Sequence, residues 1–325
     1  MGNLNRDHGG DIDAAIARYG GLSIDWIDLS TGINRVPYPI PPLPTDVWTG
    51  LPTKAVHARL LQVASAAYAS NAPMLAVAGA QAAIQMIPRL GRPGRAKVLS
   101  PTYNEHAASF RAAGWSVEEV GHLEALQGAD IAVLVNPNNP DGRIHEPDAL
   151  MRLAGKVGRL VVDESFVDPV PELSVAPLAG QAGLLVLRSF GKFYGLAGLR
   201  LGFVLGASGD IGALAEMSGP WPVAGPAIAI ATSALADQDW ARASAMRLQC
   251  EIGKIDALAV QAGWQVVGGC ALFRLYETPD ARAARDKLAS SRIWTRIFPN
   301  SKHWVRLGLP GTPTEWNRLA SALHS

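Results

Sequence analysis

The sequence predicts an α/β fold with a mostly parallel central sheet in a large domain and a smaller C-terminal α+β domain. Apolar runs such as Ile131–Val135 and Leu184–Leu187 lack alternation, as expected for parallel strands that are covered on both faces. These runs alternate with helical patterns, which is typical of βαβ units. After Trp264 the chain mixes strands and helices without that order, which predicts the smaller domain.

The first 52 residues predict an N-terminal arm. Residues 1–52 are rich in Pro and Gly, and the prolines between Pro37 and Pro44 disfavour both helix and strand. We therefore expect an irregular segment that lies across a folded part of the molecule. Apolar residues at helical spacing predict the first two helices at residues 53–69 and 82–90.

The predicted large domain covers residues 53–222. Its predicted strands are residues 96–99, 116–120, 131–135, 160–162, 184–187 and 199–205, and the helices among them are residues 105–113 and 148–157. Ligands of open α/β sheets bind beyond the carboxyl ends of the strands. The residues that directly follow each strand are therefore the candidates for function.

The predicted small domain covers residues 223–325 and begins within a segment rich in Pro and Gly, residues 219–225. A long helical region at residues 226–262 opens it. The remaining predicted elements are strands at residues 265–267, 271–276 and 304–309 and helices at residues 281–290 and 313–323.

Composition and charge exclude several classes of protein. The 325 residues are 48% hydrophobic and 18% charged, which is typical of a globular chain. The net charge of +1 gives no footprint for nucleic acid or an anionic membrane, so we expect neither as a partner. With only two cysteines and an N-terminus that lacks an apolar signal region, the sequence predicts a cytoplasmic protein without a disulfide framework.

Common cofactor and catalytic motifs are missing from the ends of the predicted strands. No G-x-G-x-x-G follows a strand, and the chain has neither a G-x-x-x-x-G-K-[ST] loop nor a G-x-S-x-G turn. No metal-ligand motif is present either, so we expect no metal.

Three segments that follow predicted strands carry residues suited to chemistry. They are the loop 136–142 (NPNNPDG), the acid Asp163, and a stretch in which Ser189 and Lys192 precede Arg200. An apolar setting lowers the pKa of a lysine and turns it into a nucleophile or Schiff-base former. Taken singly, each segment is also compatible with an ordinary turn, surface acid or loop.

In this order, the three segments resemble the aminotransferase class I/II family, the fold-type I enzymes that use pyridoxal 5′-phosphate (PLP). The resemblance extends from about residue 25 to residue 310. It implies that Lys192 binds PLP covalently, that Asp163 pairs with the pyridinium nitrogen and that Tyr103 stacks on the ring. The implied cofactor-binding residues are Gly79, Ala80, Gln81, Tyr103, Asn139, Asp163, Ser189, Lys192 and Arg200.

The resemblance also implies a role for most of these residues. Asn139 hydrogen-bonds the ring 3-oxygen, while Ser189 and Arg200 hold the cofactor phosphate. Residues 79–81 offer backbone N–H groups at the start of a helix to the same phosphate. Arg306 matches the family's arginine for the substrate α-carboxylate, a task that suits a bidentate guanidinium.

Two N-terminal sequence segments indicate which reaction within the family is expected. The segments 8–10 (HGG) and 28–34 (DLSTGIN) resemble family members that decarboxylate L-threonine O-3-phosphate in cobalamin biosynthesis. The expected substrate-binding residues are Asn139 and Arg306 together with His8 and Asn34, and we expect His8 and Asn34 to help bind the substrate phosphate. Members that transaminate histidinol phosphate share nearly all the cofactor residues and remain the alternative, and a non-enzymatic role would be expected to lose Lys192 or Asp163.

The family works as a homodimer with shared active sites, so the resemblance implies a homodimer here. The chain departs from the family at three places. Many members have a tyrosine that reaches the neighbouring subunit's cofactor phosphate, where this chain has Leu51. Phe166 stands where many have a tyrosine near the ring 3-oxygen, and Arg35 stands where proline is usual.

Overall fold

The computed structural model describes residues 8–324, and these form two compact units. The large-sheet unit contains Tyr38–Asn139 and Ile144–Ala243. The small-sheet unit contains Pro140–Arg143 together with the described residues up to 37 and from 244 onward. The compact units divide the chain at other places than the boundaries predicted after residues 52 and 222. The predicted domain limits therefore stay a prediction.

The strands and helices are numbered along the chain. The strands are β1 (Ile27–Asp28), β2 (Met74–Val77), β3 (Arg95–Leu99), β4 (Ser116–Val120), β5 (Ile131–Val135), β6 (Leu160–Asp163), β7 (Leu184–Ser189), β8 (Gly202–Leu205), β9 (Gln265–Cys270), β10 (Phe273–Glu277), β11 (Ile293–Trp294), β12 (Arg296–Phe298) and β13 (Ser301–Gly308). The α-helices are α1 (Ile12–Tyr19), α2 (Asp46–Thr49), α3 (Lys54–Ala67), α4 (Ala80–Met86), α5 (Glu105–Ala112), α6 (Pro147–Ala154), α7 (Phe190–Phe193), α8 (Ser208–Ser218), α9 (Gly225–Ala236), α10 (Gln238–Gln261), α11 (Ala281–Ser290) and α12 (Pro313–His324).

The large-sheet unit is built on a mostly parallel sheet, as the sequence predicts. Among the described residues its strand order is β2–β8–β7–β6–β5–β3–β4. β3, β4, β5, β6 and β7 pair in parallel, and β8 pairs antiparallel to both β2 and β7. β2 therefore runs in the same direction as β7. As a result, the carboxyl ends of β2, β3, β5, β6 and β7 and the start of β8 lie at one edge of the sheet.

The core of the large-sheet unit explains the unbroken apolar runs in its sequence. Every residue of β5 is buried, as are all four residues of β6. Val133, Val161 and Leu187 belong to one buried cluster with Phe110 of α5 and Ile84 of α4. Burial on both faces removes the need for a polar face, so the strands do not alternate.

The small-sheet unit has an antiparallel sheet in the order β12–β13–β10–β9 and a short parallel pair of β1 with β11. The prediction of an irregular arm is wrong for Ile12–Tyr19, which form α1, and for the short elements β1 and α2. Asp11 starts α1 by accepting a hydrogen bond from the Ala14 backbone N–H. Its buried Ala15 packs in a cluster with Trp26 and Ala289, so tertiary packing stabilises a short helix.

The long helical region predicted at residues 226–262 is two helices. α9 ends before Asp237, and the Asp237 side chain accepts a hydrogen bond from the backbone N–H of Trp240, which starts α10. The sequence analysis also missed α8 and β2. Within residues 8–324, no helix has the length and apolar character needed to cross a bilayer.

Candidate active site

The predicted cofactor residues meet at one edge of the large sheet. Asp163 ends β6, Ser189 ends β7, and Gly79 and Tyr103 follow the carboxyl ends of β2 and β3. Arg200 lies just before the start of β8, which begins at the same edge because this strand is antiparallel. The alignment of strand ends therefore assembles residues that are distant in sequence.

A cavity of ≈ 220 Å³ lies at this edge. All nine residues that the sequence analysis assigned to the cofactor line it: Gly79, Ala80, Gln81, Tyr103, Asn139, Asp163, Ser189, Lys192 and Arg200. Its other lining residues are Ile84, Val135, Ser165, Phe166, Gly191, Ala197 and Leu201. The structure brings the set together, while the role of each residue stays a prediction.

Asp163 is a buried carboxylate with donors on both oxygens. His106 Nε2 lies 2.9 Å from Oδ2, and the Ser165 backbone N–H and hydroxyl donate to Oδ1 at 2.9 and 2.5 Å. Burial alone would raise the pKa of Asp163, but the hydrogen bonds from His106 and Ser165 lower that pKa below its ordinary value. Asp163 is thus kept ionised at the cavity, where its carboxylate can pair with a positively charged group.

Lys192 lies on α7, the single turn that follows β7. Its neighbours Phe190, Gly191 and Phe193 are buried, and Nζ lies 5.8 Å from the centre of the Phe166 ring. A Cβ at Gly191 would lie 2.6 Å from Cα of Ala197, so only glycine permits this close approach. The turn that carries Lys192 is therefore packed among apolar side chains, whereas the cavity that Lys192 lines also contains polar side chains, Asp163 and Asn139 among them.

A stack of aromatic rings supports the turn that carries Lys192. Phe190 stacks on Tyr194 at 4.5 Å between ring centres, and Tyr194 stacks on Trp240 at 5.4 Å. The rings of Tyr38 and Phe193 meet Trp240 edge-on. Such contacts restrict side-chain and backbone freedom around α7.

Groups suited to a phosphate lie at the start of α4. Ser189 pairs with Gly202 in the antiparallel ladder, which brings the preceding Arg200 back toward the end of β7. A Cβ at Gly79, whose φ is +76°, would lie 2.7 Å from Nη2 of Arg200. A Cβ at Gly202 would lie 2.4 Å from the Ala80 nitrogen. The absence of a Cβ at Gly79 leaves room for the guanidinium of Arg200, and its absence at Gly202 lets the start of β8 approach the start of α4.

Tyr103 is connected to α5 through Gln81. The Tyr103 hydroxyl donates to Gln81 Oε1 at 3.2 Å, and Gln81 Nε2 donates to Glu105 Oε2 at 3.3 Å. Tyr103 and Gln81 line the cavity, whereas Glu105 lies behind them and is 6% exposed.

The asparagines after β5 have different tasks. Asn136 exchanges two hydrogen bonds with the His145 backbone, and Asn138 joins the Thr102 hydroxyl and the Pro101 carbonyl. These two asparagines shape the loop. Asn139 is the one that lines the cavity, in agreement with its selection from the sequence.

A buried ion cluster joins the ends of β6 and β7. Arg188 Nη1 lies 3.1 Å from Glu164 Oε2, Nη2 lies 2.5 Å from Asp168 Oδ1, and the guanidinium lies 4.2 Å from the centre of the Tyr68 ring. The Ser174 hydroxyl and the Val175 N–H also donate to Glu164. The sequence neighbours of Asp163 and Ser189 are therefore fixed by charge-assisted hydrogen bonds.

The other predicted substrate residues, His8, Asn34 and Arg306, belong to the small-sheet unit. Arg306, on β13, is buried, donates to the Ser30 carbonyl at 2.6 Å and lies 4.9 Å from the centre of the Phe273 ring. Burial, aided by the nearby Arg296, lowers the pKa of Arg306 to about 10. Asn34 Oδ1 accepts hydrogen bonds from Arg247 Nη2 and the Val36 N–H, so its carbonyl is occupied within this unit.

His8 lines a second, basic cavity of ≈ 270 Å³ within the small-sheet unit. Three arginines, namely Arg18, Arg285 and Arg296, share it with one acid, Asp11. Arg296 is paired with Arg306 across β12 and β13, and Ser30 lines the cavity while its carbonyl binds Arg306. Ser30 thus lines the same cavity as His8 and accepts a hydrogen bond from Arg306.

Sequence reasoning missed three residues of these sites. His106 and Ser165 hold Asp163, and Arg296 adds a cation beside His8. Ser165 stands two residues after the strand-end acid, a spacing that allows its N–H and hydroxyl to return to the carboxylate. His106 has no such local signal, because its partner is 57 positions away. Within residues 8–324, no group of three or more His, Cys, Asp or Glu side chains could hold a metal ion.

The fold and the arrangement of the cavity agree with one known family, and the chain belongs to it: the aminotransferase class I and II family, whose model matches residues 53–323. Over 324 residues the chain is 44% identical to a threonine-phosphate decarboxylase of Pseudomonas aeruginosa, covering 98% of this chain and 97% of that protein. A threonine-phosphate decarboxylase of a Sinorhizobium species is 42% identical over 324 residues, covering 97% of both proteins.

A solved structure shows the same fold. The histidinol-phosphate aminotransferase from Sinorhizobium meliloti in complex with pyridoxal-5′-phosphate matches with a TM-score of 0.81. The match covers 96% of this chain and 92% of that chain at 21% identity. The predicted fold-type I architecture is therefore confirmed.

Proposed function

We propose that this protein uses PLP to decarboxylate L-threonine O-3-phosphate, giving (R)-1-amino-2-propanol O-2-phosphate for cobalamin biosynthesis. The observation that carries the proposal is the single cavity that unites Lys192, Asp163 and Arg200 at the carboxyl edge of the sheet. The choice of substrate is supported by 44% and 42% identity to threonine-phosphate decarboxylases over almost the whole chain.

The cavity fits PLP in shape and in chemistry. The glycines at 79 and 202 leave a cradle that a Cβ would fill, and the guanidinium of Arg200 lies beside it. A carboxylate kept ionised, an amine on a rigid turn and a cationic phosphate site are the donor set that PLP requires. Ser189, Arg200 and the backbone of residues 79–81 would hold its phosphate.

When bound, PLP supplies an electron sink for the pair of electrons released at the substrate Cα. Asp163 would hold the proton on the ring nitrogen, because an anion there favours the protonated ring. His106 and Ser165 keep Asp163 ionised through their hydrogen bonds. Phe166 offers no hydroxyl, so Asn139 is left as the proposed side-chain donor to the ring 3-oxygen.

The substrate is proposed to be held by charge. Arg306 would bind the α-carboxylate, and Asn34 would assist in substrate binding. The substrate phosphate is assigned to His8 together with Arg296, on the support of the basic cavity that these two residues line. A dianion is bound best where several cations converge.

The orientation of the substrate Cα relative to PLP decides between decarboxylation and transamination. Decarboxylation breaks the bond between Cα and the carboxylate; CO₂ leaves, its electron pair stays at Cα, and one proton then takes the vacant position. Transamination breaks the Cα–H bond instead and leaves the carboxylate in place. Lys192 is the proposed holder of PLP in both cases, so the cofactor residues do not distinguish the two reactions.

A homodimer in the cytoplasm belongs to the same proposal. Trp48, Leu51 and Val56 are exposed by 66%, 67% and 46%, and a largely apolar groove lies between α2, α3 and α9. Apolar patches of this kind are typical of interaction surfaces. We assign a second copy of the chain to this surface; light scattering of wild type and of Leu51→Glu tests it, and a fully active wild-type monomer would contradict it.

Product analysis tests the proposed reaction. Purified protein loaded with PLP is given L-threonine O-3-phosphate, and CO₂ and keto acid are both measured, with Lys192→Ala as the control. We expect CO₂ without keto acid from wild type and neither product from the variant. Amino transfer from histidinol phosphate to 2-oxoglutarate, without CO₂ release from threonine phosphate, would replace the proposal with the aminotransferase.

A further inference from the structure

A buried carboxylate lies directly behind the aromatic wall of the cavity. Glu105 is the first residue of α5 and is 6% exposed. It does not line the cavity, but it accepts a hydrogen bond from Gln81 Nε2, and Gln81 Oε1 in turn accepts one from the Tyr103 hydroxyl. The three side chains form one directed series of hydrogen bonds that ends at Tyr103.

The chemistry of the three groups gives the series its direction. An ionised carboxylate can only accept hydrogen bonds, whereas the amide of Gln81 can turn either its oxygen or its nitrogen to a neighbour. Glu105 therefore holds the amide nitrogen of Gln81 on its own side. That leaves the amide oxygen facing the Tyr103 hydroxyl, which can donate to it.

Burial of a carboxylate behind a cavity is costly unless its charge is compensated. The position of Glu105 in the first turn of α5 supplies part of that compensation, because the N-terminal end of a helix favours negative charge. The next residue, His106, holds Asp163 on another wall of the cavity. One helical turn thus contacts residues of two walls.

We propose that Glu105 is a positioning residue that acts through Gln81 to fix the hydroxyl, and with it the ring, of Tyr103. The ring is then set in advance in the orientation in which it would stack on PLP. This inference rests on the proposed function, since it requires PLP in the cavity. It gives Glu105 no contact with cofactor or substrate.

Titration of the apoprotein with PLP tests this role without any turnover. The dissociation constant and the induced circular dichroism of bound PLP are measured for wild type, Glu105→Leu and Glu105→Gln. Glu105 acts on PLP only through Gln81 and Tyr103, so we expect Glu105→Leu to weaken PLP binding by about threefold to tenfold, the range that one ordinary hydrogen bond contributes. Glu105→Gln keeps an acceptor oxygen and should stay close to wild type.

A double-mutant comparison separates positioning from general stabilisation. Tyr103→Phe keeps the ring but removes the hydroxyl on which the series ends. In this background Glu105→Leu should no longer change the PLP dissociation constant. An equal effect of Glu105→Leu with and without the hydroxyl would overturn the proposal.

An exchange of the two groups keeps the test decisive if Glu105→Leu does not fold. Gln81→Glu alone places a second carboxylate beside that of Glu105. The two repel each other and the donor to Glu105 is lost, so PLP binding should weaken. Adding Glu105→Gln restores one donor and one carboxylate, so the double variant should bind PLP more tightly than Gln81→Glu alone and regain part of the dichroism; no recovery at all would overturn the role of Glu105. Wild-type protein that binds no PLP at all would instead refute the proposed function.

Discussion

His106 Nε2 lies 2.9 Å from Oδ2 of Asp163, and both side chains are buried. This pair joins the first turn of α5 to the end of β6 at the cofactor cavity. Because the pKa of Asp163 is lowered in the folded protein, its ionised form contributes stability above the ordinary carboxyl pKa of about 4 and loses that contribution as the pH falls through the lowered pKa.

His106→Leu removes one donor to this carboxylate. At pH 7 we expect the free energy of unfolding to fall by about 1.5–3 kcal/mol. The difference from wild type should shrink as the pH falls below about 4 towards the lowered pKa of Asp163, because the unfolded chain then binds a proton that folded wild type does not yet bind. Urea denaturation from pH 7 to pH 3 measures it, and a difference that does not change with pH would contradict this account. Ser165→Ala, which keeps the backbone donor, should act in the same direction but less.

Arg188→Met tests the ion cluster behind the cavity. Removing the guanidinium leaves Glu164 and Asp168 as buried charges without their cation, which costs about 3–5 kcal/mol of unfolding free energy. Arg159→Met is the matched control, because its ion pair with Asp210 is partly exposed and should contribute at most about 1 kcal/mol. An equal loss of unfolding free energy in the two variants would show that the buried cluster stabilises the fold no more than a partly exposed ion pair.

His8→Ala tests the proposed site for the substrate phosphate. Loss of a hydrogen bond to a charged group should raise KM for the phosphorylated substrate by about tenfold or more, while the dissociation constant for PLP stays unchanged. Steady-state kinetics and a PLP titration measure the two quantities. Unchanged KM and kcat would remove His8 from the site.

Gly142→Ala should destabilise the small-sheet unit. The φ of Gly142 is +71°, and a Cβ there would lie 2.0 Å from the Gly269 carbonyl oxygen, so backbone must move. We expect a loss of more than about 1 kcal/mol in unfolding free energy. Gly253→Ala in α10 meets nothing within 4 Å and should be stabilising by about 0.5–1 kcal/mol. If the two variants have the same stability, the close approach at Gly142 is tolerated and this reasoning is wrong.

The sequence predicted those strands and helices whose own residues carry a clear apolar pattern. The bounds of β4, β5 and α11 agree with the predicted residues. Alternation of strands with helices also predicted that the residues following the strands share an edge, and the resemblance to the aminotransferase family selected the cofactor residues among them.

The elements that were missed depend on tertiary contacts. α8 buries only Ile211 and Leu214 and contains Gly209 and Gly212, so its sequence has no apolar stripe. β2 has only four residues and depends on its pairing with β8. The contacts of His106 and Glu105 join positions 57 and 24 apart in the chain, and a single sequence carries no spacing signal for such pairs.

The central claim is that the cavity binds PLP through Lys192. Borohydride reduction of the PLP-loaded protein fixes the cofactor on the lysine that holds it, and mass spectrometry of the digested protein locates that lysine. We predict a pyridoxyl group on Lys192 and none in the Lys192→Ala variant. Modification of a different lysine, or of none, would contradict the account.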